Sequence, residues 1–141
     1  VLEDALMPTS SRVSDYMVRG AIVAEVWQPL SFVRQTLLLN SFSYLPVQLG
    51  PPDDGWFLIS DMAVAHCLAR AGGEGKKKEL LRTTIQELIA GEKLAMIRAR
   101  VCRPDDSVDV LLAMSGDQRP LLVIDGAADR LMGILTAFDL L

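Results

Sequence analysis

The sequence has few of the residues that build metal sites or covalent catalytic sites. Its 141 residues include two Cys and one His, and Cys67 and Cys102 have no second Cys or His near them at metal-ligand spacing. We therefore expect no zinc site and no disulfide framework, and both cysteines are expected to be buried thiols. His66 is expected to have a structural or surface role. The sequence also shows no nucleophile–base pair, no phosphate-binding glycine loop and no paired carboxylates, so we expect no enzyme activity.

Long apolar runs and an excess of positive charge are absent as well. No run reaches the 18 to 20 residues, roughly, that cross a bilayer, and the N-terminus does not resemble a signal peptide, so we expect a cytoplasmic protein without a membrane span. The formal net charge of −4 argues against nucleic acid as a partner. A hydrophobic content of 50% predicts a packed core. The chain begins with Val1 and ends at Leu141 inside an apolar stretch, as expected of a piece of a longer polypeptide.

The two halves of the chain form an internal repeat. Residues 29–33 correspond to 104–108 at an offset of 75, residues 45–47 to 119–121 at 74, and residues 58–60 to 134–136 at 76. The matches predict a first repeat at 1–72, a flexible basic linker at 73–83 and a second repeat at 84–141. Because neither half could bury much surface alone, we expect the two to pack together.

Each repeat is predicted to run strand, helix, strand, strand, helix, from apolar periodicity and turn composition. The fold class is therefore α/β (α+β), with two pseudo-symmetric β-α-β-β-α repeats packed through their sheets. The predicted strands are 21–26, 44–49, 56–59, 94–101, 120–124 and 130–135. Helices are predicted after Pro29, from Ser60 to about Arg70, over 79–90, after Asp105 or Asp106, where Val108, Leu111 and Leu112 face inward, and from Thr136.

Three segments carry a resemblance to a known family. They are Val13-Ser14-Asp15-Tyr16-Met17-Val18, Phe42-Ser43-Tyr44-Leu45-Pro46-Val47 and the final Gly133-Ile134-Leu135-Thr136-Ala137-Phe138-Asp139-Leu140-Leu141. Together they resemble a tandem pair of CBS domains, also called a Bateman module, over nearly the whole chain. The resemblance implies a regulatory module that binds AMP, ADP, ATP or S-adenosylmethionine in clefts between the repeats.

Thr136 and Asp139 are the leading candidates for such a site. A helix that starts at Thr136 would present free amide groups to a phosphate, and its hydroxyl could add one hydrogen bond. The ionised carboxylate of Asp139 can accept from both hydroxyls of a ribose. The same Thr-x-x-Asp spacing also fits a capping box, which would satisfy the amides of the helix itself.

The first repeat departs from this pattern, because Ser60 aligns with Thr136 but Ala63 aligns with Asp139 and Phe57 with Gly133. We therefore expect one competent ribose site and one degenerate cleft that contains Ser60. The resemblance implies that the first repeat completes the competent site. Arg119 matches a phosphate-contacting position, although the sequence does not decide which cleft it serves, and Tyr44 fits either a purine platform or a half-buried strand aromatic. The implied base-pocket residues are Val18, Ala21, Ile22, Ser43, Tyr44 and Leu45.

The expected function is thus a nucleotide sensor that requires no cofactor and controls a dimer or an attached effector. Two alternatives stay open, namely an association module that binds no ligand and a sensor of S-adenosylmethionine or NAD. The resemblance also implies a homodimer through the helices that follow the motif strands, and Met62, Val64 and Leu68 are expected to be exposed there.

Overall fold

A computed structural model describes residues 11–49, 55–109, 113, 119–126 and 130–141. The helices and strands alternate along the chain. In chain order they are α1 (Val13–Tyr16), β1 (Val18–Arg19), α2 (Leu30–Asn40), β2 (Tyr44–Gln48), β3 (Trp56–Ser60), α3 (Asp61–Ala69), α4 (Glu74–Arg82), α5 (Ile85–Ala90), β4 (Ile97–Arg98), β5 (Arg100–Cys102), β6 (Leu121–Asp125), β7 (Arg130–Leu135) and a 3-10 helix (Ala137–Leu140). This mixed content confirms the predicted α/β class.

The chain divides into two compact units, and the one formed by 22–98 is called the central unit here. Its sheet has the order β2-β3-β4, and all pairs are antiparallel. Ala24 adds an isolated parallel bridge to Val47. The sheet packs with α2, α3 and α5 around a core of fully buried side chains that includes Leu30, Val33, Leu45, Ile59 and Ile85.

The other compact unit consists of residues 1–21 and 99–141 and is called the terminal unit. Its sheet has the order β1-β7-β6-β5, in which β5 and β6 are parallel and the other pairs are antiparallel. Helix α1 places Val13 in the core of this unit, together with Cys102, Leu121, Val123 and Leu135. Helix α1 therefore belongs to the same unit as β7.

The two units have the same pattern of strand pairing. Each has a parallel pairing at one side, then an antiparallel hairpin, and then a two-residue antiparallel edge strand, β4 in the central unit and β1 in the terminal unit. Strand β4 comes from the second half of the sequence and pairs with a hairpin from the first half. Strand β1 comes from the first half and pairs with a hairpin from the second half. The predicted repeat boundaries at 1–72, 73–83 and 84–141 stay a prediction. The compact units are a different division, because each of them contains residues from both halves of the sequence.

Two landmarks of the repeat alignment are wrong. The bridges Pro29–Thr84 and Arg12–Ser107 are equivalent in the two units, so Pro29 corresponds to Ser107 and not to Pro104. The Leu30 amide donates to the Thr83 carbonyl in one unit, as the Val108 amide donates to the Ser11 carbonyl in the other. The hairpin registers also move the next landmark: Pro46 pairs with Leu58 and Leu122 pairs with Ile134, so with Leu58 aligned to Ile134, Pro46 corresponds to Leu122 and not to Pro120. The second repeat is therefore shorter than the first between these two points.

The strands predicted at 21–26 and 94–101 are also wrong. Only Ala24 of the first segment forms a bridge, and the second segment contains two short strands, β4 and β5, which belong to different units on either side of Ala99. The chain passes from one sheet to another at this point, so a single continuous strand cannot form there. The hairpins β2-β3 and β6-β7 confirm the strands predicted around Pro46 and Pro120.

The basic connector is helical where its composition predicts a flexible segment. Helix α4 begins after Gly73, whose φ of 139° suits glycine, and contains Lys, Glu and Leu, which favour helix. A second helix, α5, begins at a capping box of Thr84 and Glu87, so the helix predicted over 79–90 is two helices. The predicted helix positions Leu111 and Leu112 lie outside the described residues.

Candidate functional site

Thr136 and Asp139 are in direct contact at the end of β7. The Thr136 amide donates to Asp139 Oδ2 at 2.8 Å, and the Thr136 hydroxyl donates to the same oxygen at 3.1 Å. Both residues are partly exposed. The contact is the capping arrangement predicted from the Thr-x-x-Asp spacing. A carboxylate has about four lone-pair positions, so these two donors leave capacity for two ribose hydroxyls.

A 3-10 helix, Ala137–Leu140, follows Thr136 directly. The Thr136 carbonyl accepts from the Asp139 amide at 3.0 Å at its start.

Strand β1 lies directly beside the strand that leads to Thr136. Val18 pairs with Ile134, and Arg19 pairs with Gly133. Val18 is 55% exposed, so its side chain is available to a ligand. A Cβ on Gly133 would lie 2.9 Å from both Val18 O and Met17 Sδ, and Gly133 therefore allows β1 to approach β7 closely.

The register of the terminal sheet places Arg119 near the same end. Leu121 pairs with Leu135, so Arg119, two positions before Leu121, and Thr136, one position after Leu135, lie at one end of the hairpin. The terminal unit therefore contains Val18, Ala21, Arg119, Thr136 and Asp139. The sequence left open which cleft Arg119 serves, and its role as a phosphate contact stays a prediction.

The equivalent position in the central unit lacks the carboxylate, as the sequence indicates. Ser60 Oγ accepts from the Ala63 amide at 3.0 Å, so the serine caps α3. The carboxylate of Asp61 accepts from the Met62 amide at 2.7 Å. Phe57 lies where the terminal unit has Gly133, and its ring is 5.2 Å from the guanidinium carbon of Arg98.

The other base-pocket candidates belong to the central unit. Tyr44 pairs with Ser60, and the Ser43 carbonyl accepts from the Asp61 amide, so both lie beside the Ser60 helix start. Tyr44 is half-buried. The Leu45 side chain is 0% exposed, so only its backbone could face a ligand. Ile22 is partly exposed and also lies in this unit. Their assignment to a base pocket stays a prediction.

The cysteines lie in the interior, as predicted. Cys67 and Cys102 are free and buried. Burial raises the pKa of both thiols, and that of Cys102 reaches about 11, with the Asp106 carboxylate adding to the increase.

Among the described residues no group of three His, Cys, Asp or Glu side chains could hold a metal ion. No helix in the described ranges has the length and apolarity that crossing a membrane requires.

We expect both thiols to be unreactive in the folded protein. A thiol of pKa about 11 is almost fully protonated at pH 8, and only the thiolate is nucleophilic. Alkylation of Cys102 by iodoacetamide at pH 8 should be roughly 100-fold slower in buffer than in denaturant. The Cys102 contribution to stability is present below its ordinary pKa of 9.0 and is lost as the pH rises through about 11. Equal alkylation rates with and without denaturant would contradict the burial of this thiol.

Comparisons with known proteins give a consistent result at the level of structure. No family model and no curated protein sequence matches the chain. Among solved structures, a CBS domain-containing protein of unknown function from Bacillus anthracis is similar with a TM-score of 0.65 and 21% identity, over 91% of this chain and 88% of that one. The acetoin utilization protein AcuB from Vibrio cholerae, whose assignment is provisional, has a TM-score of 0.66 and 14% identity, over 92% and 86%.

A third similar structure contains a ligand. It is CBSX2 in complex with AMP, with a TM-score of 0.62 and 19% identity, over 92% of both chains. CBSX2 from Arabidopsis thaliana is also described as a CBS-pair protein. These similarities extend over more than nine-tenths of the chain. The protein thus has the fold of a CBS domain pair.

Proposed function

We propose that the protein is a regulatory module that binds an adenosine nucleotide, AMP, ADP or ATP, and controls a dimer or an attached effector. The observation that carries the proposal is the Asp139 carboxylate, which is held by Thr136 at the end of β7 and has lone pairs for a ribose diol. The CBS-pair fold and the AMP in CBSX2 support the choice of an adenosine ligand. Arg119 is proposed as the phosphate contact.

The expected stoichiometry is one nucleotide per chain. Ala63 cannot accept from a ribose, so the helix start at Ser60 lacks the group that Asp139 supplies. Titration with AMP, ADP, ATP and S-adenosylmethionine tests this directly. A ligand at 100 times its dissociation constant should add about 2.7 kcal/mol to the free energy of unfolding. No stabilisation by any of the four would favour an association module that binds no ligand, and two sites per chain would contradict the role given to Ala63.

We also propose a homodimer formed through α2 and α3. The expectation for its surface needs correction, since Met62 is 60% exposed but Val64 is only 5% exposed and Leu68 is half-buried. Val64 packs in the central core, and Leu68 packs against it. Instead, Leu38 and Leu39 on α2 are exposed, at 65% and 75%. These leucines and Met62 are therefore the apolar residues that we propose for the interface.

The dimer has a simple test. Leu39→Glu places a charge in the proposed interface without disturbing the core, because the leucine side chain is exposed. Light scattering should report a dimer for the wild type and a monomer for Leu39→Glu. Gln86→Glu introduces the same negative charge at an exposed position of α5, outside the helices of the proposed interface, and should leave the dimer intact. An unchanged mass for Leu39→Glu would exclude this face of α2 from the interface.

A further inference from the structure

The central unit contains a cavity that the proposed function does not use. It has a volume of about 360 Å³ and lies among the end of α3, helix α4 and Lys93. Three cationic side chains line it, Arg70, Lys76 and Lys93, against the single carboxylate of Glu79. The lining therefore carries two net positive charges in a protein whose formal net charge is −4.

The positive charge is not neutralised by neighbouring side chains. Within the described ranges, Arg70, Lys76 and Lys93 have no ion-pair partner. Three cations around one cavity repel each other, and an anion placed among them would relieve that repulsion. Arg70 and Lys93 also lower the pKa of Cys67, partly offsetting the larger increase that burial causes. Their positive field thus reaches the buried thiol that lines the cavity.

The start of α4 lies beside the cavity. Gly72 and Lys76 line the cavity, and Gly73, the N-cap between them, has no side chain that could satisfy the free amides of the first turn. Helix α4 has nine residues, so its N-terminus carries a partial positive charge. The first turn also contains the carboxylate of Glu74, which does not line the cavity, so the cationic side chains of the lining carry the argument.

We propose that this cavity binds a small phosphate-bearing anion that carries at least two negative charges. A guanidinium and two ammonium groups can donate to several oxygens of one phosphate, whereas a single carboxylate would neutralise only one of the cations. This site belongs to the central unit and does not depend on Thr136 or Asp139.

Calorimetry with pyrophosphate tests the proposal on the full chain. The wild type should show one saturable site, and Arg70→Gln combined with Lys93→Gln should weaken it at least about 30-fold, because two charge-assisted contacts are lost. The matched control combines Lys78→Gln with Arg82→Gln, which makes the same change in net charge at exposed α4 residues outside the cavity lining. The control should change the affinity less than about twofold. Glu79→Gln should tighten binding a few-fold, since it removes a repulsive carboxylate.

Three outcomes of these titrations would overturn the proposal. Absence of saturable pyrophosphate binding to the wild type, or equal losses in the two double variants, would exclude an anion site in this cavity. Loss of pyrophosphate binding in Asp139→Ala would place the anion at the Thr136 site instead. Retained binding in Asp139→Ala supports the proposal, and it does so whether or not AMP binds. Thermal melts of each variant would confirm that these exposed substitutions leave the fold intact.

Discussion

Gly133→Val is expected to destabilise the protein by about 3 kcal/mol, or roughly 10 °C in melting temperature. The first new carbon would lie 2.9 Å from Val18 O, a backbone atom that cannot move without shifting β1. It would also lie 2.9 Å from Met17 Sδ, and Met17 is itself buried. Strand β1 has only two residues, so it has few pairings with which to resist displacement. We therefore expect β1 to separate from β7, which also removes Val18 from the proposed site.

Urea unfolding measures this effect, and Gly75→Val is its control. Gly75 lies within α4, and a Cβ there would meet no heavy atom within 4 Å. Valine also has a better helix propensity than glycine, so the control should be as stable as the wild type or slightly more stable. A Gly133→Val protein with wild-type stability would show that β1 does not need the close approach described here.

Asp139→Ala is expected to weaken AMP binding by at least about 100-fold. The substitution removes the only carboxylate proposed to contact the ribose diol, and two charge-assisted hydrogen bonds account for an effect of that size. It also removes the acceptor for the Thr136 amide and hydroxyl, which should cost about 1 kcal/mol of stability. The loss of affinity should therefore far exceed what the loss of stability alone would cause.

Glu87→Ala is the matched control, because it removes the same local contacts at another place. The Thr84 amide and hydroxyl donate to Glu87 Oε1 at 3.4 and 3.0 Å, at the start of α5. A similar loss of stability with unchanged AMP affinity is expected for this variant. Equal losses of affinity in both variants would mean that Asp139 acts through stability, and unchanged affinity in Asp139→Ala would leave this carboxylate as a cap only.

The sequence predicts well those elements that carry local signals. Strands β2, β3, β6 and β7 are apolar segments bounded by turn residues, and Pro29 and Ser60 begin α2 and α3 in the structure as their spacing predicts. The contact between Thr136 and Asp139 is local too, because the two residues are three positions apart. For such features, composition and spacing contain the necessary information.

The remaining features depend on pairing between distant residues. Strands β1 and β4 have two residues each, too few to show a period, and each pairs with a strand from the other half of the sequence. Arg119 could be assigned to the Thr136 end only from the register of β6 and β7. The cavity at Arg70 and Lys93 combines residues from separate elements, and the composition around Lys76 predicts a flexible linker where the structure has a helix.

The most direct test of the proposed function compares AMP with its 2′,3′-dideoxy analogue in calorimetric titrations of the wild type. The two ligands share the base and the phosphate and differ only in the diol assigned to Asp139. Our account predicts one AMP site per chain and an affinity for the analogue that is lower by at least about 100-fold. Equal affinities for the two ligands, or no binding of AMP, would contradict it.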